Sequence, residues 1–229
     1  MMIPNADCLV FMDVETTGLD AQQERIIEVF LLKIARSGHV SEYETLIHPE
    51  RPIPAVITEI TGITDQDVAE APTEAEVAHE IREFIGSGIP VAHNLPFDRR
   101  FFNAMFARNN QVQLSAAGID TLALSRQLFP RLCIYPEGGG SHRLSNLMYH
   151  FGLQNAFANS HRARDDVMLL VEVYRHLQDY ASGRMGITYP SAVTHGCPTC
   201  GAAMKMEFYE GERVLVCTKQ PACSERLVV

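Results

Sequence analysis

Five side chains spread over most of this 229-residue chain could form one metal-dependent site: Asp13 and Glu15 early, Asp98 in the middle, and His161 with Asp166 late. Four carboxylates drawn together repel strongly, and a divalent cation is the usual means of keeping such a cluster ionised. Asp13-Val14-Glu15 closes the apolar run Cys8-Leu9-Val10-Phe11-Met12, which reads as a buried strand. Residues i and i+2 of a strand point the same way, so both carboxylates fall on one face. That pair suits a hard ion such as Mg2+ or Mn2+.

The elements that must carry the other three each have a plainer reading. A D-x-E triplet arises by chance about once in a few hundred residues. Asn94-Leu95-Pro96-Phe97-Asp98 follows a second apolar strand, Ile89-Pro90-Val91-Ala92, and opens a helix running toward Arg108. There an Asn is ordinarily a cap, and an Asp in the first turn answers the helix dipole. His161-Arg162-Ala163-Arg164-Asp165-Asp166 begins an amphipathic helix in which Val167, Leu170, Val171, Tyr174 and Leu177 recur at helical spacing. His161 and Asp166, five apart, do not share one helical stripe, which places His161 at the mouth of that helix.

What raises these pieces above chance is their joint occurrence and order. Asp13-Val14-Glu15-Thr16-Thr17-Gly18-Leu19, then Ala92-His93-Asn94 with Phe97-Asp98, then His161-x-Ala163-x-x-Asp166 resemble the three motifs of the DEDD family of 3'–5' exonucleases. The branch is the one whose third motif carries histidine. Its tyrosine counterpart is disfavoured, because Arg162 stands four residues before Asp166 where that Tyr would be. Ile60-Thr61-Gly62-Ile63-Thr64 with Ala71-Pro72 is similar to the connector of the proofreading epsilon-type exonucleases of bacterial replicative polymerases. The likeness covers roughly residues 7 to 180.

This resemblance implies a ribonuclease H-like α/β fold and hydrolysis of nucleic acid at a free 3' end, releasing nucleoside 5'-monophosphates. Asp13, Glu15, Asp98 and Asp166 would hold two Mg2+ or Mn2+ ions, which activate a water and stabilise the departing 3' oxygen. His161 would take the proton from that water, a task suited to imidazole. Thr16, Thr17 and Gly18 would meet the terminal nucleotide through backbone groups, Leu19 would pack on its base, and Asn94 and Phe97 complete the expected substrate contacts. DNA is favoured over RNA, in proofreading, repair or nucleic-acid turnover. An exoribonuclease is the alternative, as is a subunit that docks to a DNA polymerase or repair complex with catalysis secondary.

Composition is compatible with these readings. With 46% hydrophobic residues the chain can bury a full core and carry a small appendage. A formal charge of -9 argues against a broad, tight duplex binder, since phosphate contacts call for Lys and Arg, yet it leaves a cation-recruiting processing enzyme open. No signal peptide or membrane span is expected, and the location expected is cytoplasmic.

Strands are expected near 8–14, 26–36 and 39–48, as an antiparallel meander turning at Ser37-Gly38. Two helical segments follow, the second opened by a capping box, Thr73-x-x-Glu76, with Val77, Ile81, Phe84 and Ile85 on one face. A strand at 89–92, a helix over 97–109, a short strand at Ile119, a helix ending near Pro130 and a long helix over 162–180 complete a mixed α/β sheet flanked by helices. Asp120 reads as a helix cap, Asp165 as a solvent-facing neighbour and His93 as a strand end. Gly138-Gly139-Gly140 reads as a turn rather than a phosphate cradle, and Cys8 and Cys133 as reduced thiols.

The tail reads as a separate unit. An exonuclease domain over 1–180 would be followed by a Gly-, Ser- and Pro-containing linker over 181–195, then a ribbon over 196–229. Cys197 and Cys200 have zinc-knuckle spacing, and with Cys217 and Cys223 they would close a tetrahedral shell around one structural Zn2+. The segment resembles the C-terminal zinc ribbons of type IA topoisomerases, which contact single-stranded DNA, but Val216 stands where those ribbons have Gly before the third Cys. Lys205, Arg213, Lys219 and Arg226 are matched by Glu207, Glu210, Glu212 and Glu225, so charge does not decide between nucleic acid and protein as its partner.

Overall fold

The apolar run that ends in the D-x-E pair forms β1 (Cys8–Thr16), the central strand of a five-stranded sheet. A computed structural model describes residues 7–132, 134, 142–157 and 161–183, with the backbone of three further strands at Met204–Tyr209, Glu212–Cys217 and Arg226–Val228. β2 (Ile26–Ala35) and β3 (Val40–Leu46) continue from β1 as the antiparallel meander expected. β4 (Ile89–Ala92) lies parallel to β1 on its other edge, and the two-residue β5 (Ile119–Asp120) lies parallel to β4. The order β3-β2-β1-β4-β5 in this mixed sense is that of the ribonuclease H-like fold.

Helices cover both faces. α3 (Glu74–Ile85) starts at the Thr73/Glu76 capping box, and with α4 (Leu95–Arg108) it buries Val77, Ile81, Phe101, Phe102 and Met105 against Val10, Met12 and Val14. On the opposite face, α7 (Ala163–Ala181) sets Ala163, Val167 and Leu170 against Phe11 and Phe30. Phe11 therefore shares its face of β1 with Asp13 and Glu15, and α7 is the helix that covers that face.

Between β3 and β4 there are three helical segments rather than two: α1 (Ala55–Thr61), the four-residue α2 (Asp65–Val68) and α3. α2 is too short to show a period and is held by its own capping box between Thr64 and Asp67. α4 begins two residues earlier than expected, because Pro96 fits the first turn of a helix. α5 (Thr121–Leu128) is capped by Asp120, whose carboxylate accepts from the N–H of Leu122 at 3.0 Å. α6 (Leu144–His150) was not foreseen, since seven residues span under two turns, and it packs on α7 through Leu147 and Met148.

The three C-terminal strands form an antiparallel sheet of order β6 (Met204–Tyr209), β7 (Glu212–Cys217) and β8 (Arg226–Val228), in which β6 and β7 pair as neighbours in sequence. Cys197, Cys200 and Cys223, the Cys217 side chain, Cys133 and the triple glycine lie outside the described residues. Among the described residues no helix is long and apolar enough to cross a membrane.

Candidate active site

The acids meet at the carboxyl end of β1. Asp13 and Glu15 are both half-buried on the α7 face, and α7 lowers Asp166 onto them from above. Carboxylate oxygens of Asp13, Glu15 and Asp166 lie within 4.8 Å of one another. Asp166 is 8% exposed whereas Asp165 is exposed, so the helix phase selects the second aspartate.

Asp98 arrives along the strand edge. Pairing of β1 with β4 ends at Phe11, which leaves the next backbone groups on that edge without a ladder partner from β4. The Asp98 carboxylate accepts a hydrogen bond from the N–H of Val14 as well as from its own N–H, and the residue is only 3% exposed. A buried side chain thus finishes the sheet edge between Asp13 and Glu15.

Electrostatics report how closely the four acids are held. Burial, then the charges of Asp98, Glu15 and Asp166, push the Asp13 carboxyl well above the ordinary carboxylate range. Burial, then Asp166, Glu28 and Asp98, raises Glu15 to about 8, with Arg162 pulling the other way. Burial raises Asp98 to about 8 against the two backbone hydrogen bonds it accepts. Hard oxygen donors that repel one another in a half-buried cleft are a donor set that fits divalent cations.

His161 sits one residue before Arg162, the N-cap of α7, exposed and in the left-handed region at φ 54°. A non-glycine residue costs free energy there, and such strain is often retained at functional positions. Asn94 also has positive φ, at 76°; it takes the N-cap position of α4, yet its side chain makes no cap hydrogen bond. Its backbone N–H donates instead to Asp120 at 3.0 Å. Phe97 is half-buried against Phe101, with ring centroids 4.9 Å apart. His93 follows the last residue of β4, contacts Thr121 at 3.0 Å and the carbonyl of His142 at 2.8 Å, and is lowered to about 4 by burial.

The pairing of β1 with β2 shifts register between Glu15 and Thr16, and the chain leaves the sheet after Thr16. Thr16 donates its hydroxyl to the carbonyl of Gly18 at 2.7 Å. Thr17 is turned into the loop: its N–H donates to the carbonyl of Arg25 and its hydroxyl to Glu24. A Cβ on Gly18 would lie 3.0 Å from the Cγ of that Glu24 side chain, a tight contact that the glutamate would have to relieve by shifting. Leu19, 81% exposed, is the outermost apolar group of the loop.

One residue of the site was not anticipated. Glu28 on β2 lies opposite Glu15 in the strand register and is 2% exposed. It accepts from Arg162 Nε at 3.0 and 3.1 Å, from Arg162 Nη2, and from the N–H of Ala163 at 2.9 Å. Glu28 thereby satisfies the first turn of α7 and fixes the helix that carries Asp166. The available signal was a lone carboxylate in the otherwise apolar run Ile26 to Leu32.

Acids gathered at the carboxyl end of the central strand of this fold mark a hydrolase of phosphodiester bonds, and its relatives make it a 3'–5' exonuclease. The exonuclease family model matches residues 10–174, and the chain belongs to that family. It is 37% identical over 162 residues to the DNA polymerase III subunit epsilon of Treponema pallidum (strain Nichols), an overlap of 71% of this chain and 72% of that protein. It is also 37% identical over 155 residues to the PolC-type DNA polymerase III of Bacillus subtilis (strain 168), covering 67% of this chain but only 10% of that much longer protein. Exonuclease X in complex with 5' overhanging duplex DNA superposes with a TM-score of 0.58 at 25% identity, covering 80% of this chain and 95% of that one. Exonuclease I shares the fold at a TM-score of 0.65 and 22% identity, covering 78% of this chain and 44% of that one.

Proposed function

We propose that this chain removes nucleotides from the 3' ends of DNA, using two Mg2+ or Mn2+ ions held by Asp13, Glu15, Asp98 and Asp166, and releases nucleoside 5'-monophosphates. The observation that carries the reading is the three-carboxylate cluster on β1 and α7 with Asp98 at its edge. The bound ions supply activation of the attacking water and charge stabilisation at the departing 3' oxygen. His161, exposed at the start of α7, takes the water proton. Glu28 and Arg162 hold that helix end in place.

Thr16, Gly18 and Leu19 on one side and Asn94 and Phe97 on the other receive the terminal nucleotide, while Thr17 supports the loop from within. DNA is favoured because the relatives are a DNA polymerase III subunit and a PolC-type DNA polymerase III, and a structural neighbour is described on DNA. The work assigned to it is proofreading, repair or turnover of 3' ends, free or beside a polymerase. The four tail cysteines, Cys197, Cys200, Cys217 and Cys223, hold one structural Zn2+ in a ribbon that follows the linker.

The test is a set of 3'-labelled substrates of one sequence: single-stranded DNA, duplex DNA with a frayed end, and RNA, each with Mg2+ or Mn2+. The expected result is stepwise release of labelled 5'-monophosphate, fastest from single-stranded or frayed DNA and absent in EDTA. Internal fragments, release from the 5' end or full turnover in EDTA would overturn it.

A further inference from the structure

A groove of about 910 Å3 runs between the loop that begins at Leu19 and the outer face of α4. Arg100, Ala104 and Arg108 recur at four-residue intervals along that face, with Asn103 and Ala107 on the adjoining stripe. The two alanines give the groove its depth and the long side chains form its rim. Both walls start at the candidate site: Leu19 follows Thr16 to Gly18 directly from Glu15, and Arg99 and Arg100 directly follow Asp98.

The charges there are not equivalent. Arg108 is neutralised by Glu74, with Nε and Nη2 at 2.9 and 2.8 Å from its carboxylate. Arg99 and Arg100 form no ion pair among the described residues: Arg99 donates from Nη2 to the carbonyl of Ala117 at 3.3 Å, and the Arg100 guanidinium lies 5.9 Å from the Phe97 ring centroid. Asp20 is the acid lining the groove, and its carboxylate accepts from the backbone N–H of Gln22 and the side chain of Gln23. Two arginines with no carboxylate partner among the described residues, Arg100 exposed and Arg99 partly held by the Ala117 carbonyl, therefore line the groove.

The geometry points to this groove as the track for the substrate strand upstream of the scissile bond, with Arg99 and Arg100 meeting its phosphates and Leu19 presenting an apolar face to a base. The assignment rests on the exonuclease reading and extends it from the terminal nucleotide to the strand behind it. From Arg99 to Arg108 the helix rises ~14 Å at 1.5 Å per residue. A stacked strand advances ~3.4 Å per nucleotide, so the groove holds up to about four. Arginine suits this role because its planar fork pairs with phosphate oxygens.

The test measures binding of fluorescent single-stranded DNA of two to eight nucleotides to the full chain in EDTA by anisotropy, between 50 and 200 mM salt. Wild-type affinity is expected to climb with length to about four nucleotides and then level off. Each single-strand phosphate contact contributes about 0.7 to the log–log salt slope, so Arg99→Gln/Arg100→Gln should lower that slope by about 1.4. Wild type then loses about sevenfold more affinity than the double variant across that salt range. Arg175→Gln, on the outer face of α7, serves as the control and keeps both slope and activity. A double variant with wild-type length dependence and slope overturns the groove while leaving the exonuclease reading intact. Absence of hydrolysis by wild type with metal would instead overturn that reading, and the binding arm would still judge the groove.

Discussion

Replacing Glu15 with glutamine should stabilise the metal-free protein at alkaline pH. An unfolded glutamate loses its proton near 4.5, whereas the folded Glu15 holds it to about 8 because it is buried beside Asp166, Glu28 and Asp98. Between those values the folded state binds more protons than the unfolded one, so stability falls as pH rises through the window. At 1.36 kcal/mol per unit the full displacement is worth roughly 5 kcal/mol. Neighbouring acids share that repulsion, and neutralising one of them recovers a part, about 1–3 kcal/mol. For a domain of this size that is a rise in Tm of about 3–10 °C.

Divalent metal acts in the opposite sense. Bound to the folded cluster it would stabilise the protein by about 2.7 kcal/mol at one hundred times Kd, and the variant would lack one of the proposed ligands. Calorimetric melts at pH 5.5 and 8.5, in EDTA and in Mn2+, give the four comparisons. In EDTA Glu15→Gln should melt higher than wild type at both pH values, by a small margin at pH 5.5 and a larger one at pH 8.5. In Mn2+ at pH 8.5 the wild type should gain more than the variant. A wild-type Tm in EDTA that is flat from pH 5.5 to 8.5, or an equal gain from Mn2+ in both proteins, would refute the repelling cluster.

Asp13→Asn and Asp166→Asn should abolish hydrolysis with the circular dichroism spectrum retained, while Asp165→Asn stays active; turnover by either of the first two would break the site assignment. His161→Ala should slow the rate by roughly 10²- to 10⁴-fold with metal affinity by calorimetry unchanged, and lost metal binding would make His161 a ligand instead of the base. Glu28→Gln leaves one acceptor oxygen for Arg162 and the N–H of Ala163, so denaturant unfolding should show a loss of about 1–3 kcal/mol together with a lower kcat; no change in either would deny Glu28 its positioning role. Elemental analysis should find one zinc per chain, and a chain ending near Tyr180 should still hydrolyse short oligonucleotides with Mg2+; zinc-free protein or a folded but inactive truncation would contradict the separate ribbon.

Sequence alone determined the features whose causes are local. The apolar run before Asp13 made β1, the Thr73/Glu76 box started α3, and the spacing of Val167, Leu170 and Leu177 set the phase of α7 that turns Asp166 inward. Alternation along β1 put Asp13 and Glu15 on one face before any contact was known. Tertiary structure decided what depended on partners far along the chain. Glu28 looked like an interruption of a strand until Arg162 and Ala163, more than 130 residues later, closed around its carboxylate. Asp98 could be read as a first-turn acid, but its fixed place comes from the backbone edge that β4 leaves free at Val14. Thr17 belonged to the same motif as Leu19, yet packing against Glu24 and Arg25 turned one inward and left the other exposed. A periodic pattern records which face of an element is buried, whereas the group that satisfies a buried charge or a free backbone N–H is known only once the elements have met.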